Sequence, residues 1–344
     1  MKNTVRNIQN SNRNESIDIL KAICALLIVC IHIQVPNPLN LLLLPVTRIA
    51  VPIFFMITGY YYDFNAEKKK KNRQIIHIIK LVIGANLFYF FYNGILEIIQ
   101  KGSIKIYLCK TISIKKIILF LITNDDFISG HLWYLSAILY VLLICRLYGG
   151  FISKKIFTPK IIVIFLICDL IFGKYSLLLL NRSFPLWLTR NFLFVGIPYF
   201  GLGQYIKKGG YKANSKKAKR NLKLGMIFFS ITAIFENLFL HNVGLVTARD
   251  HGISITPLAI CVFILFISTD YRNKIVSLIG RKYSQNIYIF HPAIISIYYL
   301  VIDKTVIKTE IAWVAPIIVY IITILILILS NKFMDFCFIN MKKR

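Results

Sequence analysis

The sequence predicts an all-α fold: a polytopic membrane helix bundle of about ten transmembrane helices with both termini cytoplasmic. Three observations carry that reading. Of 344 residues, 57% are hydrophobic and only 16% charged, whereas soluble domains carry about 25% charged residues. With a mean hydropathy of +0.66, a soluble fold of this length could not hide its apolar surface, so the solvent is lipid. Apolar runs of roughly 17–25 residues, the length a bilayer requires, recur along the chain. Lysine and arginine gather in alternate connecting segments, as the positive-inside rule demands.

The spans fall at about 17–35, 47–63, 76–99, 131–148, 160–178, 190–206, 223–241, 252–270, 284–302 and 311–331. Residues 104–123 form an eleventh apolar stretch. It carries Lys105, Lys110, Lys115 and Lys116 and reads as an interfacial amphipathic helix. With the N-terminus inside, the inner segments collect Lys2, Arg6 and Arg13, then Lys68–Lys71 and Arg73, then Lys154, Lys155 and Lys160. The run Lys207–Lys223, the group Arg272, Lys274, Arg281 and Lys282, and finally Lys332, Lys342, Lys343 and Arg344 complete the set. The outer loop 36–46 holds no basic residue. Counting 104–123 as a span would put the Lys207–Lys223 run outside.

The expected organisation is therefore a cytoplasmic N-terminal segment 1–16, a membrane domain 17–331 and a basic tail 332–344. Residues 207–222 read as a mobile cytoplasmic loop, too short to fold alone. No small-residue cleavage site follows the basic start, so the first span is expected to stay in the mature protein. A net charge of +28 on a soluble chain would suggest nucleic acid. Here it sets topology, with anionic membrane lipid as a contact and no nucleic-acid partner. Seven cysteines without a CxxC read as small buried hydrophobes, giving neither disulfides nor a metal site. Dinucleotide and P-loop glycine fingerprints are absent.

Chemistry enters with the first span. Lys21 and His32 are eleven residues apart. That is about 1100° of helix, roughly 20° past three turns, with an offset of roughly 16 Å along the axis. Both side chains share one face, and Asp18 falls on the same stripe. A carboxylate, an ammonium and an imidazole on one face of a membrane helix belong in a protein interior or a wet cavity. The expectation is a polar passage along this helix, in an enzyme or transporter rather than an anchor. Arg48 enters the second span near the depth of His32, or snorkels to headgroups. Pro52 can kink that span and Gly59 permits close approach.

Glu236 is an acid inside the seventh span, a functional residue by default. It either binds acceptor hydroxyls or pairs with Arg249 or Arg190. Trp133 and Tyr134 sit where aromatics anchor at an interface, and could also stack on a sugar. Tyr283, Ser284, Asn286, Tyr288 and His291 gather polar groups in the ninth span. Asp250 follows Arg249 in an outer loop. His131, His241 and His251 also lie in outer loops, with His251 expected to be solvated.

Several segments together resemble the acyltransferase-3 family of integral membrane acyltransferases. They are Lys21-x10-His32, Arg48-Ile-Ala-Val-Pro-Ile-Phe-Phe-Met-Ile-Thr-Gly-Tyr60, His131-Leu-Trp-Tyr-Leu135, Ile197-Pro-Tyr-Phe-Gly-Leu-Gly203 and Tyr283-Ser-Gln-Asn-Ile-Tyr-Ile-Phe-His-Pro292. Order and spacing match over about residues 15–330. The resemblance implies a ten-helix bundle that moves an acyl group, usually acetyl, from acyl-CoA to a carbohydrate or related acceptor. The family motif Arg-x10-His maps its presumed catalytic histidine onto His32. Its arginine maps onto Lys21, a point charge instead of a bidentate fork. A second family motif, Arg-x-x-Arg, aligns with His77-x-x-Lys80, a further departure.

On this reading His32, Arg48 and Glu236 form the catalytic set. His32 acts as general base or acyl carrier, and Arg48 as oxyanion stabiliser. Lys21, His77 and Lys80 bind the phosphates of acetyl-CoA, the acyl donor, from the cytoplasmic side. Asp18, Trp133, Tyr134, Asp250, Tyr288 and His291 bind acceptor, and no residue binds metal. The pantetheine arm would bridge the offset between Lys21 and His32.

Expected partners are a cell-surface glycan or lipid-linked saccharide. Many family members carry an extracellular hydrolase-like domain. Without one in this sequence, the chain is expected to act directly or to hand the acyl group to a separate extracytoplasmic transferase. Abundant Ile, Lys and Asn suit a bacterial plasma membrane. The same resemblance extends to the membrane domain of vancomycin-resistance serine racemases, thought to supply serine, which makes an amino-acid transporter the alternative. Broken helices at midplane would favour it, and Pro52, Pro198 and Pro257 are signals of that kind.

Overall fold

The computed structural model describes residues 14–101, 104–126, 128–245, 251–303, 305 and 307–341. The described residues form helices and no strand. The long elements are α1 (Glu15–His32), α2 (Leu39–Thr47), α3 (Ala50–Tyr61), α4 (Lys68–Lys101), α5 (Ile104–Thr111), α6 (Ile114–Thr123) and α7 (Trp133–Phe151). Then come α8 (Pro159–Phe172), α9 (Ile197–Lys208), α10 (Lys216–Asn242), α11 (Ile255–Ile267), α12 (Lys274–Lys282), α13 (Ser284–Ile302) and α14 (Ala315–Met341). Each of the ten expected spans falls on helix. Six are long and apolar enough to cross a membrane: Leu39–Tyr61, Lys68–Ile99, Gly130–Ile156, Lys216–Asn242, Ser284–Ile302 and Ala315–Lys332. The others fall short for visible reasons. α1 carries Glu15, Asp18 and Lys21 in 18 residues. α8, α9 and α11 have 14, 12 and 13 residues, below the roughly 20 that span a bilayer upright.

Two boundaries differ from the sequence reading. The stretch 104–123 is two helices, α5 and α6, broken at Ile112–Ser113, where Ser113 is extended at the N-cap of α6. α6 buries none of its residues, and Ile114, Leu121 and Ile122 are exposed, which suits a helix lying on a lipid surface. α10 already starts at Lys216, so the polar stretch after Lys207 is irregular only between α9 and α10.

The chain divides into two compact units. The first comprises Met1–Ala50, Lys212–Asn237 and Pro257–Arg344. α1 starts at Asn14, whose side chain accepts from the Ile17 amide at 3.3 Å, with Glu15 and Asp18 in the dipole-favoured first turn. It ends at His32, where Ile33 turns extended before Pro36 and Pro38. α1 packs against α12, α13 and α14. Ala25, Val29 and Ile33 meet Tyr283, Ile287, Ile294 and Val319 in one buried cluster. Tyr320 of α14 donates to the Ala22 carbonyl at 3.0 Å. α12 lies closest of all, because a Cβ on Gly280 would collide with the carbonyl of Asp18. In lipid, helices gain little from apolar burial and associate through close van der Waals contact of small residues, which Gly280 permits.

The second unit comprises Val51–Tyr211 and Leu238–Thr256. α3 and α9 meet through reciprocal glycines: a Cβ on Gly59 would strike the Phe200 carbonyl, and one on Gly203 the Met56 carbonyl. Gln204, buried in the same seam, donates to the carbonyls of Gly59 and Tyr62. The turn before α7 is held by two buried side chains. Asn124, with φ of +59°, donates to the Trp133 carbonyl at 3.3 Å and accepts from the Phe192 amide at 2.7 Å. Asp126 accepts from the amides of Ile128 and Ser129, both at 3.2 Å, and from Asn86 Nδ2 at 3.1 Å. Burial, against those hydrogen bonds, holds the Asp126 carboxyl above the usual carboxylate range.

Candidate functional site

In the first unit, α1 and α13 bring two imidazoles together. The rings of His32 and His291 lie 4.9 Å apart, centroid to centroid, at 54°. His32 is exposed at the last turn of α1. His291 is wholly buried in α13. The carbonyl of Ile287 can only accept, so the 2.9 Å bond to His291 Nδ1 puts the proton on Nδ1. In the neutral ring, Nε2 then carries the lone pair. Pro292 follows directly and, having no N–H, makes no helical hydrogen bond back to Tyr288. The Tyr288 ring lies 6.4 Å from that of His291. An exposed imidazole backed by a buried, oriented one is an arrangement that can accept and relay a proton.

At the other end of α1, Lys21 Nζ lies 3.1 Å from Asp18 Oδ1, with the lysine side chain 26% exposed and the aspartate 5%. One ammonium proton is engaged, leaving two donors on a reachable charge. The expected polar passage between Lys21 and His32 is not found on this helix. Ala25 and Ile28 lie within about 40° of the Lys21 direction, and both are buried. α1 therefore presents an apolar wall between its two polar ends.

Arg48 caps the C-terminal end of α2 and is half-buried. Glu236 is half-buried in α10. Its neighbour Asn237 donates to the Leu41 carbonyl at 3.1 Å, which sets α10 beside α2, the helix that ends at Arg48. Asp18, Lys21, His32, Arg48, Glu236, Tyr288 and His291 thus all belong to the first unit.

His77, Lys80, Trp133 and Tyr134 belong to the second. His77 and Lys80 are exposed, three residues apart on α4. Trp133 is buried at 8% exposure, and Tyr134 packs edge-on against Phe55 at 4.7 Å. An interfacial belt position does not describe them. The π turn Phe192–Gly196 and Asn124 fasten this end of α7 inside protein, leaving little of the Trp133 ring for a sugar. Asp250, like Arg249, lies outside the described residues.

One pair was not read from the sequence at all. His251, expected to be solvated, is buried, with Nδ1 2.8 Å from Asp169 Oδ2 and side chains 4% and 6% exposed. The Tyr199 ring stands 5.6 Å from His251, and its hydroxyl bonds Thr256 Oγ1 at 2.7 Å. The signal was present in Asp169, an acid inside the apolar run of α8, which needs a partner in lipid. Among the described residues no group of three or more metal-ligating side chains occurs.

Comparison with known proteins agrees with the resemblance. The family model described as an acyltransferase domain, that of the acyltransferase-3 family, matches residues 14–331. A curated relative from Enterococcus faecalis, named amino-acid racemase, is 27% identical over 312 residues. That match covers 83% of this chain and 42% of the relative, so the chain spans less than half of the relative's length. No solved structure matches. The matched range takes in both units and every described candidate residue, and the chain belongs to the acyltransferase-3 family.

Proposed function

We propose that this membrane acyltransferase-family protein moves an acetyl group from acetyl-CoA, bound from the cytoplasmic side, to a hydroxyl of a cell-envelope glycan or lipid-linked saccharide. The observation that carries the reading is the His32–His291 contact at the position of the family's catalytic histidine. His32 takes the proton of the acceptor hydroxyl as its oxygen attacks the thioester carbon. The new C–O bond forms, the C–S bond breaks, and the proton passes to the departing thiolate. His291 orients His32 and offers Nε2 as the next proton site. Arg48 stabilises the developing oxyanion and Glu236 holds the acceptor or Arg48 itself. Lys21 in the first unit, and separately His77 with Lys80 in the second, are the residues proposed to meet donor phosphates. The ammonium of Lys21 keeps two donors beyond its bond to Asp18, so the residue suits a phosphate oxygen. Because α1 is apolar between Lys21 and His32, the lining of the donor's path comes from other elements.

The reading includes about ten spans with both termini inside, a bacterial plasma membrane, and a separate extracytoplasmic transferase where the acceptor is remote. Purified protein in detergent, incubated with acetyl-labelled acetyl-CoA, tests it. Histidine-dependent hydrolysis or transfer, lost in His32→Ala, is the expected result. A second reading, transport of an amino acid such as serine, is favoured by the relative named as an amino-acid racemase. Labelled serine uptake into proteoliposomes without binding of CoA would support it instead.

A further inference from the structure

Lys21 offers two donors to a phosphate oxygen, but the Asp18 carboxylate 3.1 Å away offsets part of its attraction for a dianionic group. The corner between α12 and α13 supplies what is missing. The Gly280 backbone rests directly on the α1 turn that carries Lys21. A Cβ there would meet the Asp18 carbonyl and come within 2.9 Å of the Ala22 nitrogen. The next two residues, Arg281 and Lys282, are exposed in the last turn of α12. Arg281 is one Cα step of about 3.8 Å from Gly280, and Lys21 is the neighbour of Ala22.

The corner is fastened on both sides. Ser16 Oγ accepts from the Tyr271 amide at 2.7 Å and donates to the Thr269 carbonyl at 2.5 Å. Asn273 caps α12 by accepting from the amides of Ile275 and Val276. Ser284 Oγ donates to the Gly280 carbonyl at 2.7 Å, and Tyr283 is buried behind it. Topology needs cations in this segment, but it does not need their helix seated on the Lys21 turn.

We propose that Lys21 and Arg281 form one phosphate-binding site, in which Arg281 supplies the planar bidentate fork that lysine at position 21 cannot, while Lys282, about 200° round α12 from Gly280, adds only longer-range charge. The inference rests on the acyl-CoA reading, and the ligand chemistry is a phosphate ester. A nucleotide donor and a lipid headgroup both carry that group, and the donor is the occupant committed to here.

The test measures CoA binding to the full chain in detergent by calorimetry, together with flotation on vesicles of phosphatidylglycerol. Arg281→Gln and Lys282→Gln are exposed substitutions, checked for unchanged melting. Arg281→Gln should weaken CoA about tenfold or more, as expected for a lost charge-assisted pair. Arg281→Lys should recover part of the loss, and Lys282→Gln should flatten the salt dependence. If wild type binds CoA and both Gln variants bind it equally well, the site is refuted while the acyl-donor reading stands. Loss of vesicle binding alone makes the phosphate a lipid's and also refutes it. Wild type that binds no CoA overturns both.

Discussion

Removing the imidazole of His251 should expose how much the second unit depends on one buried carboxyl–imidazole hydrogen bond. Asp169 and His251 meet at 2.8 Å with almost no solvent access. Taking one partner from such a pair typically costs about 3–5 kcal/mol, because a charge is left in a poor solvent. The lower end is taken for His251→Leu. At about 3 kcal/mol, and about 2–4 °C per kcal/mol for a domain of 150–250 residues, the melting midpoint should fall by roughly 6–12 °C. The double variant Asp169→Leu/His251→Leu replaces both polar partners by apolar groups and should recover most of that loss. Thermal unfolding in detergent, read by loss of monodisperse protein, gives the values for both single variants, His251→Leu and Asp169→Leu, and for the double variant. A single-variant shift under about 2 °C, or a double variant that simply adds the two single losses, would refute the reasoning.

Four further outcomes follow from the same geometry. Gly203→Ala should cost about 1–3 kcal/mol, because the new Cβ meets a backbone carbonyl that cannot rotate away. Gly84→Ala, with open space around it, should be neutral or stabilising in the same melting assay. Asn124→Ala removes both bonds that tie α7 to the π turn and an αL-tolerant residue, and should cost about 2–4 kcal/mol. The Asp126 carboxyl is raised in the folded state by burial, so its ionisation opposes folding. The melting difference, wild type minus Asp126→Asn, should therefore fall as pH rises through the carboxylate range and flatten above it. A difference that grows with pH would contradict the assignment.

Much of this was legible in the sequence, and the remainder was not for identifiable reasons. Apolar length placed helix at every expected span, because a bilayer imposes one length scale on all of them. Charge within the run decided where the match weakened, as Glu15, Asp18 and Lys21 do in α1. The break at Ile112–Ser113 depends on one extended residue and leaves hydropathy almost unchanged.

The polar residues that mattered were partly visible. Lys21 and His32 stood out by spacing alone, and His291 by its place in a polar span. That His291 backs His32 was not legible, since it depends on α13 packing against α1 across some 260 positions. The apolar wall of Ala25 and Ile28 was readable from the same helical wheel that aligned Lys21 with His32. A loop position suggests solvation of His251, but its burial goes with Asp169, eighty-two residues away.

Turnover of labelled acetyl-CoA by wild type and His32→Ala, with folding matched by melting temperature, bears most directly on the central assignment. The account predicts at least about a hundredfold loss of histidine-dependent transfer or hydrolysis, the contribution of a positioned general base. A folded His32→Ala protein that keeps wild-type turnover would contradict it.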